Sequence, residues 1–385
     1  MGTQSGESGE SGESGESGES GESGESGEFI GSGSFTGARA RTSTREGVVG
    51  RWQCPEFPRK NYVTGPSALD LWSPPVRIRI LEAEMLSGIY YDDHPGGDSV
   101  CVWYQAKGDD LPGQPLVHII RPREKDFYKQ LIYLHHYAAL RMERSGEIMT
   151  EITNILSFLG AVGHLHASRT PRLFELLSLV LRVTGVIEMR VKHALACRRA
   201  VEFSPQIQPM IATPGHGSLP SGHATESFAA AFVFYALIRR ARSQSAHISQ
   251  GEQTFIQLMR IAERIAINRT VAGVHFPVDS VAGMVLGWTL ADFYVKRFSG
   301  RGDVKTRHFD GRWFDDDFCY EKVLARSYRK HRDEDSIPQA ADSDENITEG
   351  GDDLDIPVSG LLKYQWDEAV AECKLMLGPP PDVQP

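Results

Sequence analysis

The chain has 385 residues, of which 40% are hydrophobic and 24% charged, and its formal net charge at pH 7 is -10. This length and apolar content suffice for one large globular domain or two ordinary ones. Eight of the net negative charges come from eight consecutive Ser-Gly-Glu triplets at residues 5–28. The remainder is close to neutral and lacks the basic face that nucleic-acid binding normally requires, so we expect no nucleic-acid partner.

The N-terminal third of the chain shows little periodicity. Residues 1–43 form a low-complexity tail, either native or added for expression, that cannot bury apolar surface and is expected to be disordered. Residues 44–123 are rich in Pro and Gly and are expected to form an irregular segment packing on the core. Two extended runs are expected within it, at 76–85 (VRIRILEAEM) and 99–106 (SVCVWYQA).

Residues 124–300 are expected to form a helical catalytic domain. Phe127, Leu131, Leu134 and Tyr137 follow a helical spacing in the first predicted helix. Four further long helices are predicted at 172–195, from the loop 213–226 onward, at 252–268, and from 277 to about 297. Short connections between long helices favour an antiparallel bundle, so the predicted fold class is mainly α, with irregular flanking segments.

The C-terminal segment, 301–385, is acidic and is expected to be partly disordered. Within it, residues 333–357 are predicted to be a mobile loop and residues 361–377 to form one last amphipathic helix.

The cysteines and the hydropathy of the sequence indicate the cellular compartment in which we expect the protein. The five cysteines are scattered without a CxxC pair, which is typical of reduced thiols rather than of a disulfide framework. The first residues contain no apolar segment of a secretory signal, and no run approaches the roughly 20 apolar residues of a membrane span. We therefore expect a soluble, cytoplasmic protein without a membrane span.

Basic residues end the second predicted helix. Lys192 and Arg199 lie seven residues apart in KHALACRRA, and two helical turns bring such positions to one face. Taken alone, this cluster is more simply interpreted as a solvated basic face. Arg198 is the alternative to Arg199 as the residue that reaches a site.

The loop TPGHGSLPSGHATE at 213–226 leads into the third helix. Ser221 is a natural N-cap, and free backbone N–H groups at a helix start bind anions. Gly222 lets an oxyanion approach the backbone closely. An ordinary helix cap with two incidental histidines, His216 and His223, is the alternative interpretation.

The segment NRTVAGVHFPVDS leads into the fifth helix. Pro277 suits the first helical position, which puts His275 just outside the helix and Asp279 in its first turn. Asp279 there has a purely structural interpretation, because a carboxylate complements the helix dipole. A histidine whose ring a carboxylate can orient is also the arrangement of a nucleophile or a metal ligand. With Arg269, the three clusters predict a site for a tetrahedral, multiply charged oxyanion.

The order K-x6-R, PSGH, R-x5-H-x3-D resembles the signature shared by the vanadium-dependent haloperoxidases and the type 2 phosphatidic acid phosphatase superfamily, and the chain looks closest to the haloperoxidases. Ala200 stands where the family usually has Pro, and Asn268 where it usually has Ser. The resemblance implies the helical bundle of this family. The matching residues are Lys192, Arg199, Ser221, Gly222, His223, Arg269, His275 and Asp279.

The resemblance implies two alternative chemistries. In the haloperoxidase, vanadate is tethered to His275 as its metal ligand, and His223 is the acid–base group. Hydrogen peroxide and a halide, bromide or iodide, are then the substrates, hypohalous acid is the product, and an organic acceptor is left open. In the phosphatase, phosphate occupies the same site, His275 attacks phosphorus and His223 protonates the leaving oxygen. In both, the oxyanion is held by Lys192, Arg199, Ser221, Gly222 and Arg269, and Asp279 supports His275.

His216 favours the haloperoxidase. The stretch TPGHGSLPSGHA is similar to the corresponding loop of algal bromoperoxidases, and simple acid phosphatases usually lack the earlier histidine. The expected function is therefore that of a vanadate-dependent haloperoxidase, with a phosphatase as the alternative. A non-catalytic oxyanion-binding protein is the third hypothesis, which the intact His223 and His275 disfavour. A homo-oligomer is left open.

Overall fold

The computed structural model describes residues 44–377, apart from 46, 54–62, 95, 107, 109–112, 243–247, 329–345 and 351–352. The predicted tail at 1–43 lies outside the described residues. The chain divides into two compact units, Met1–Val63 and Thr64–Pro385. In the first unit, the described residues include short helical stretches at 44–45 and 47–49. Every element named below belongs to the second unit.

The second unit begins with a 3-10 helix, Pro66–Leu71, followed by helix α1, Pro74–Leu86. The predicted extended run at 76–85 is therefore wrong. Arg77, Leu81 and Met85 are buried at a four-residue spacing, which is the period of a helix face rather than the two-residue period of a strand. Prolines in the first turn also suit a helix start, because their missing N–H groups would lack a partner there anyway.

A five-stranded sheet flanks the helices. Its strands are β1 (Ile89–Asp93), β2 (Ser99–Tyr104), β3 (Gln114–Ile120), β4 (Thr306–Asp310) and β5 (Ile347–Gly350). They follow each other in the order β1 to β5, and all neighbours are antiparallel except β3 and β4, which are parallel. The last strand lies inside the predicted mobile loop 333–357, so that prediction is wrong for its residues: Ile347 is fully buried and pairs with Phe309.

Helices make up most of the structure, and the mainly α fold class is confirmed. After α1 follow α2 (Glu124–Tyr137), α3 (Arg141–Glu151), α4 (Ile155–Gly163), α5 (Pro171–Leu195), α6 (Ala200–Phe203), α7 (Gly222–Ala241), α8 (Ile248–Val271), α9 (Pro277–Ser299), α10 (Tyr320–Tyr328) and α11 (Gly360–Leu377). Short 3-10 helices occupy Ala138–Leu140, Pro205–Ile207 and Gly311–Trp313.

The five predicted long helices are present as α2, α5, α7, α8 and α9, and the predicted C-terminal helix is α11. The sequence did not predict α1, α3, α4, α6 and α10. The predicted boundaries after residues 43, 123 and 300 stay predictions.

Helix α9 is the centre of the core, and nearly all of its residues are buried. Gly283 explains how closely it packs on α7. A Cβ at this position would lie 2.7 Å from the Ser221 carbonyl oxygen and 2.8 Å from the Ala224 Cβ, so only a glycine fits. None of the helices within the described residues combines the length and apolar content needed to cross a bilayer.

Candidate active site

The predicted site residues converge where four helix ends meet. These are the C-terminal ends of α5 and α8 and the N-terminal ends of α7 and α9. Hydrogen bonds tie the ends together: the Ser221 N–H donates to the Asp279 carbonyl oxygen over 2.8 Å, and Lys192 Nζ donates to the Pro220 carbonyl oxygen. We call this convergence the oxyanion cradle; its sequence-predicted members are Lys192, Arg199, Ser221, Gly222, His223, Arg269, His275 and Asp279.

His275 is held in one orientation at the entry to α9. Its Nδ1 lies 3.0 Å from Asp279 Oδ2, which also accepts the Phe276 N–H over 3.0 Å. Arg199 Nη1 lies 3.0 Å from the other ring nitrogen, Nε2. A guanidinium only donates, so Nε2 is the acceptor and Nδ1 carries the proton donated to Asp279. Burial and the nearby cations lower the pKa of His275 well below its ordinary value, which keeps the ring neutral and Nε2 nucleophilic.

Asp279 is fully buried in the first turn of α9. Burial raises its pKa to about 7, against the lowering effects of the Phe276 N–H and Arg199. Cationic charge that develops on His275 during a reaction favours the carboxylate form of this partner. Asp279 therefore fixes the tautomer of His275 and can stabilise its charged state.

The choice between the two adjacent arginines has a clear structural answer. Arg199 is 3% exposed, and its guanidinium donates to the Val274 carbonyl oxygen over 2.8 Å in addition to His275. Arg198 points away: its Nη2 lies 2.5 Å from Glu124 Oε1 on α2. Arg199 is therefore the arginine that belongs to the cradle. Ala200, which stands where the family usually has proline, begins the short helix α6, and Arg199 keeps its place in the cradle.

Lys192 and the start of α7 form the floor of the cradle. Lys192 is 1% exposed, so its ammonium has almost no contact with solvent. Burial lowers its pKa, against the raising effect of Glu188 one helical turn earlier. Ser221 is the N-cap of α7, and its hydroxyl accepts the Ala224 N–H over 3.5 Å. The remaining first-turn N–H groups of α7, including that of Gly222, have no partner within the helix and are suited to an anion.

Arg269 is the most informative cation. It is 1% exposed, and its Nη2 donates to the Ile148 carbonyl oxygen over 3.2 Å and forms an ion pair with Glu151 on α3. Its Nε and Nη1 are buried with no hydrogen-bond partner among the described residues. Buried donors without partners are costly, so these two N–H groups indicate a place for an acceptor that binds from outside the chain.

Asn268, the second departure from the family pattern, supports Arg269 indirectly. Its Nδ2 donates to Glu151 Oε1 over 2.7 Å and to Glu147 Oε2 over 3.1 Å, and its Oδ1 accepts from Arg144. An amide in place of a hydroxyl thus orients the carboxylate that pairs with Arg269.

His223 lies in the first turn of α7 and is oriented by α3. Its Nε2 lies 3.1 Å from the Glu151 carbonyl oxygen, which can only accept, so Nε2 carries the proton in the neutral ring. Burial and Arg269 lower the pKa of His223 to about 3. A bound oxyanion offsets these cations and raises that pKa, which is what a group that exchanges protons with a substrate needs.

His216 lies at the entrance to the cradle. Its Nδ1 is 3.1 Å from Arg199 Nη2 and 3.2 Å from the Gly217 carbonyl oxygen, so the neutral ring accepts from Arg199 and the protonated ring donates to Gly217. Burial and Lys192 lower its pKa. His216 and Arg199 share the lining of a cavity of about 450 Å³ with Thr213 and Pro214.

Two cradle carboxylates were missed from the sequence. Glu151 belongs to α3, a helix that was not predicted, and no local pattern connects it to Arg269. Glu188 precedes Lys192 by four residues, which is one turn on the same face of α5, and this spacing could have revealed it.

The donor set fits a tetrahedral oxyanion, vanadate included. The cradle offers three cations, unpaired guanidinium N–H groups and one imidazole nitrogen. Within the described part of the chain, no group of three or more His, Cys, Asp or Glu side chains is arranged to hold a metal ion. Vanadate would therefore be held by His275 alone and by hydrogen bonds to its oxygens, as phosphate would.

Comparison with known proteins gives one family match. The sequence model of the PAP2 superfamily matches residues 177–303, a stretch that contains every predicted cradle residue, so the chain contains a PAP2 superfamily domain. No curated protein matches the chain. One similar solved structure is the first transmembrane PAP2 type phosphatidylglycerolphosphate phosphatase from Bacillus subtilis. The two share 19% sequence identity with a TM-score of 0.28 over 46% of this chain and 97% of that chain.

The expectation of a cytoplasmic protein needs correction. The similar structure just described is a transmembrane phosphatase and no finding supports a cytoplasmic location, so we withdraw that expectation. At a TM-score of 0.28 the similarity carries no argument about where this chain itself is found.

Proposed function

We propose that this PAP2 superfamily domain hydrolyses phosphate monoesters through a phosphohistidine formed on His275. The observation that carries the proposal is the state of the cradle: a neutral, oriented imidazole nitrogen faces Arg199, while Arg269 keeps two buried N–H groups without partners. A phosphoryl group supplies the acceptor oxygens that these donors lack. It also gives the His275 nucleophile a target.

The first half-reaction transfers the phosphoryl group to His275. Its Nε2 attacks phosphorus, the bond to the ester oxygen breaks, and His223 supplies the proton that the leaving alcohol needs. Nδ1 keeps its proton, so the phosphorylated ring is cationic and is stabilised by the Asp279 carboxylate 3.0 Å away. Lys192, Arg199 and Arg269 hold the equatorial oxygens, where negative charge accumulates in the transition state.

The second half-reaction hydrolyses the phosphohistidine. His223, now without its extra proton, accepts a proton from the attacking water, and the bond between phosphorus and Nε2 breaks. His275 leaves as the neutral ring in its original tautomer, and inorganic phosphate is released. The cycle consumes one water and restores both histidines.

Parallel assays of one preparation test the proposal. We expect hydrolysis of p-nitrophenyl phosphate by the wild type, and a loss of kcat by about a thousandfold or more in His275→Ala, because the nucleophile is removed. His193→Ala, an exposed histidine on α5 beside Lys192, is the matched control and should retain activity. Hydrolysis that survives in His275→Ala would contradict the proposal.

A vanadate-dependent haloperoxidase is the second candidate, and the position of His216 favours it. This histidine contacts Arg199 at the entrance cavity, where it can exchange a proton with a small oxidant. Bound vanadate would supply a Lewis acid that activates hydrogen peroxide for attack by halide. His275 would hold it, the three cations would neutralise its oxygens, and His223 and His216 would move protons at its edge.

The same preparation, loaded with vanadate, is assayed for peroxide oxidation of bromide and iodide. Halide oxidation that depends on vanadate and falls in His216→Ala, without phosphate ester hydrolysis, would replace our first candidate by the second. If neither activity is found, the third hypothesis, a non-catalytic oxyanion-binding protein, takes their place.

A further inference from the structure

A buried carboxyl group that the mechanism does not use lies directly under the cradle. Glu188, on α5, is 5% exposed, and its Oε2 has no hydrogen-bond partner among the described residues. Its Oε1 approaches the backbone of α7 so closely that a Cβ at Gly222 would lie only 2.5 Å away. Gly222, at the start of the predicted anion site, therefore lies against a carboxyl group.

Charged groups face Glu188 from several elements. Lys192 lies one turn further along α5, and Arg199 follows the end of that helix; both favour the ionised form of Glu188. Glu226, together with Thr225, faces it from α7. From α9, the buried Tyr294 interacts with Glu188, and Asp279 interacts with the same two cations.

In this arrangement, the negative charge of Glu188 and the negative charge of a bound oxyanion compete for the same cation, Lys192. When Glu188 is ionised, its carboxylate neutralises Lys192 and adds a negative charge beneath Gly222. When it is protonated, Lys192 has no such neighbour and attracts an oxyanion at full strength. Burial raises the pKa of Glu188 to about 7, against Lys192 and Arg199, so both forms occur near neutral pH.

We propose that Glu188 couples oxyanion binding in the cradle to proton uptake. This inference rests on the proposed oxyanion site but not on its catalytic activity. The ionised Glu188 binds one proton from solvent when the anion enters and becomes a neutral carboxylic acid. Glu226, which is partly exposed and lies beside Gly185 of α5, interacts with Glu188, and we expect the proton to enter on this side. Glu188 is thus a positioning residue that sets the pH range in which the oxyanion is held and released.

Linkage gives the sign and size of the effect. Below the pKa of Glu188 in the free site, the group already carries its proton and affinity is at its maximum. Above it, each anion bound takes up about one proton, and affinity falls by up to about tenfold per pH unit.

Sulfate is the probe for the test, because it is a tetrahedral dianion whose own charge does not change near neutral pH. Isothermal titration calorimetry at about pH 5.5 and about pH 8.5, in buffers of different ionisation enthalpy, yields both Kd and the number of protons taken up. We expect wild-type Kd to rise by about tenfold or more between the two pH values, with uptake of about one proton or more at the higher pH. Glu188→Gln should bind tightly at both and take up about one proton fewer than the wild type. Asp279 and His223 remain in both proteins, so the difference isolates Glu188.

Two further variants assign the effect to this residue. Glu263→Gln removes another carboxyl group whose pKa burial raises, one that accepts the Tyr320 N–H and is not a member of the cradle, and it should behave as the wild type. Glu226→Gln keeps Glu188 and should retain the proton uptake, which also tests the proposal should Glu188→Gln fail to fold. Loss of uptake in Glu226→Gln would move the role to Glu226 and overturn the assignment.

The outcomes separate this inference from the proposed function. Equal sulfate affinity at both pH values without proton uptake, or an unchanged pH dependence in Glu188→Gln, would refute the role of Glu188 and leave the oxyanion site standing. A wild type that binds no sulfate at either pH would refute the oxyanion site itself, and the coupling with it.

Discussion

At the scale of single residues, the pair of His275 and Asp279 shows how one short motif combines folding and chemistry. Asp279 accepts the Phe276 N–H, which caps the start of α9, and the same oxygen accepts the Nδ1 proton of His275. A carboxylate at this helix position is stabilising in any protein. Here it also fixes which ring nitrogen is free to react.

Replacement of Asp279 tests this double role. Asp279→Asn keeps the shape but removes the charge that stabilises a cationic, phosphorylated His275. We expect kcat for p-nitrophenyl phosphate to fall by about a hundredfold or more with little change in KM. Asp126→Asn is the matched control: Asp126 occupies the same capping position in α2, without a histidine beside it. If kcat fell more in Asp126→Asn than in Asp279→Asn, the loss of activity would come from the lost helix cap and not from the lost partner of His275.

Most cradle residues were predictable from the sequence, because their spacing is tied to helix ends. Ser221, His275 and Asp279 are placed by ordinary capping rules at the starts of α7 and α9. The partner of Arg269 was not predictable. Glu151 reaches Arg269 across the molecule from α3, and a contact between residues so far apart in the chain leaves no local periodicity.

At the scale of elements, the cradle depends on how closely α7 and α9 approach each other. Gly283 brings α9 against the Ser221 carbonyl oxygen and Ala224, at the turn of α7 that carries the anion-binding amides. Helix packing and site geometry are therefore set by the same contact.

A methyl group at this contact should affect both properties. Gly283→Ala forces the two helices apart, which we expect to lower the free energy of unfolding by about 1–3 kcal/mol and to weaken sulfate binding. Urea unfolding and calorimetry measure the two effects. Gly146→Ala, in α3 with open space around its added Cβ, should leave binding unchanged and stability equal or slightly higher. Normal sulfate affinity in Gly283→Ala would contradict the coupling between packing and site.

The helices with strong hydrophobic periodicity could be predicted from the sequence, whereas the sheet could not. The residue types of the run at 76–85 predict an extended segment, although its buried positions follow a four-residue period. Strand β3 pairs with β4, which follows it only after the eight α-helices α2 to α9, so no hairpin or turn signal relates them. Tertiary pairing of this kind is outside what local patterns can indicate.

At the scale of the whole molecule, buried titratable groups make stability depend on pH in opposite directions. Burial raises the pKa of Glu188 to about 7, so its contribution is fully present below its unfolded pKa and is lost as pH rises toward 7. Burial lowers the pKa of His223 to about 3 and that of His275 well below its ordinary value. Their contribution is present above the unfolded histidine pKa and is lost as pH falls below it.

Glu188→Gln isolates the first of these effects. We expect its free energy of unfolding to equal that of the wild type at about pH 4.5 and to exceed it by on the order of 2 kcal/mol at about pH 8, because the variant no longer buries a carboxylate. Urea unfolding at both pH values measures the difference. Glu175→Gln, on the same helix, removes the partner of the buried Arg77 and should be destabilising at about pH 8. A Glu188→Gln variant that is less stable than the wild type at that pH would contradict this account.

The central claim is that His275 is the nucleophile of an oxyanion site, and covalent trapping tests it most directly. With p-nitrophenyl phosphate, whose leaving group needs no proton, His223→Ala should still form the phosphoenzyme but hydrolyse it slowly. Mass spectrometry of the quenched protein should then find an acid-labile phosphoryl group on His275, and none in a variant that also carries His275→Ala. Phosphate release by the wild type with no phosphoryl group on His275, or with one on another residue, would contradict the account.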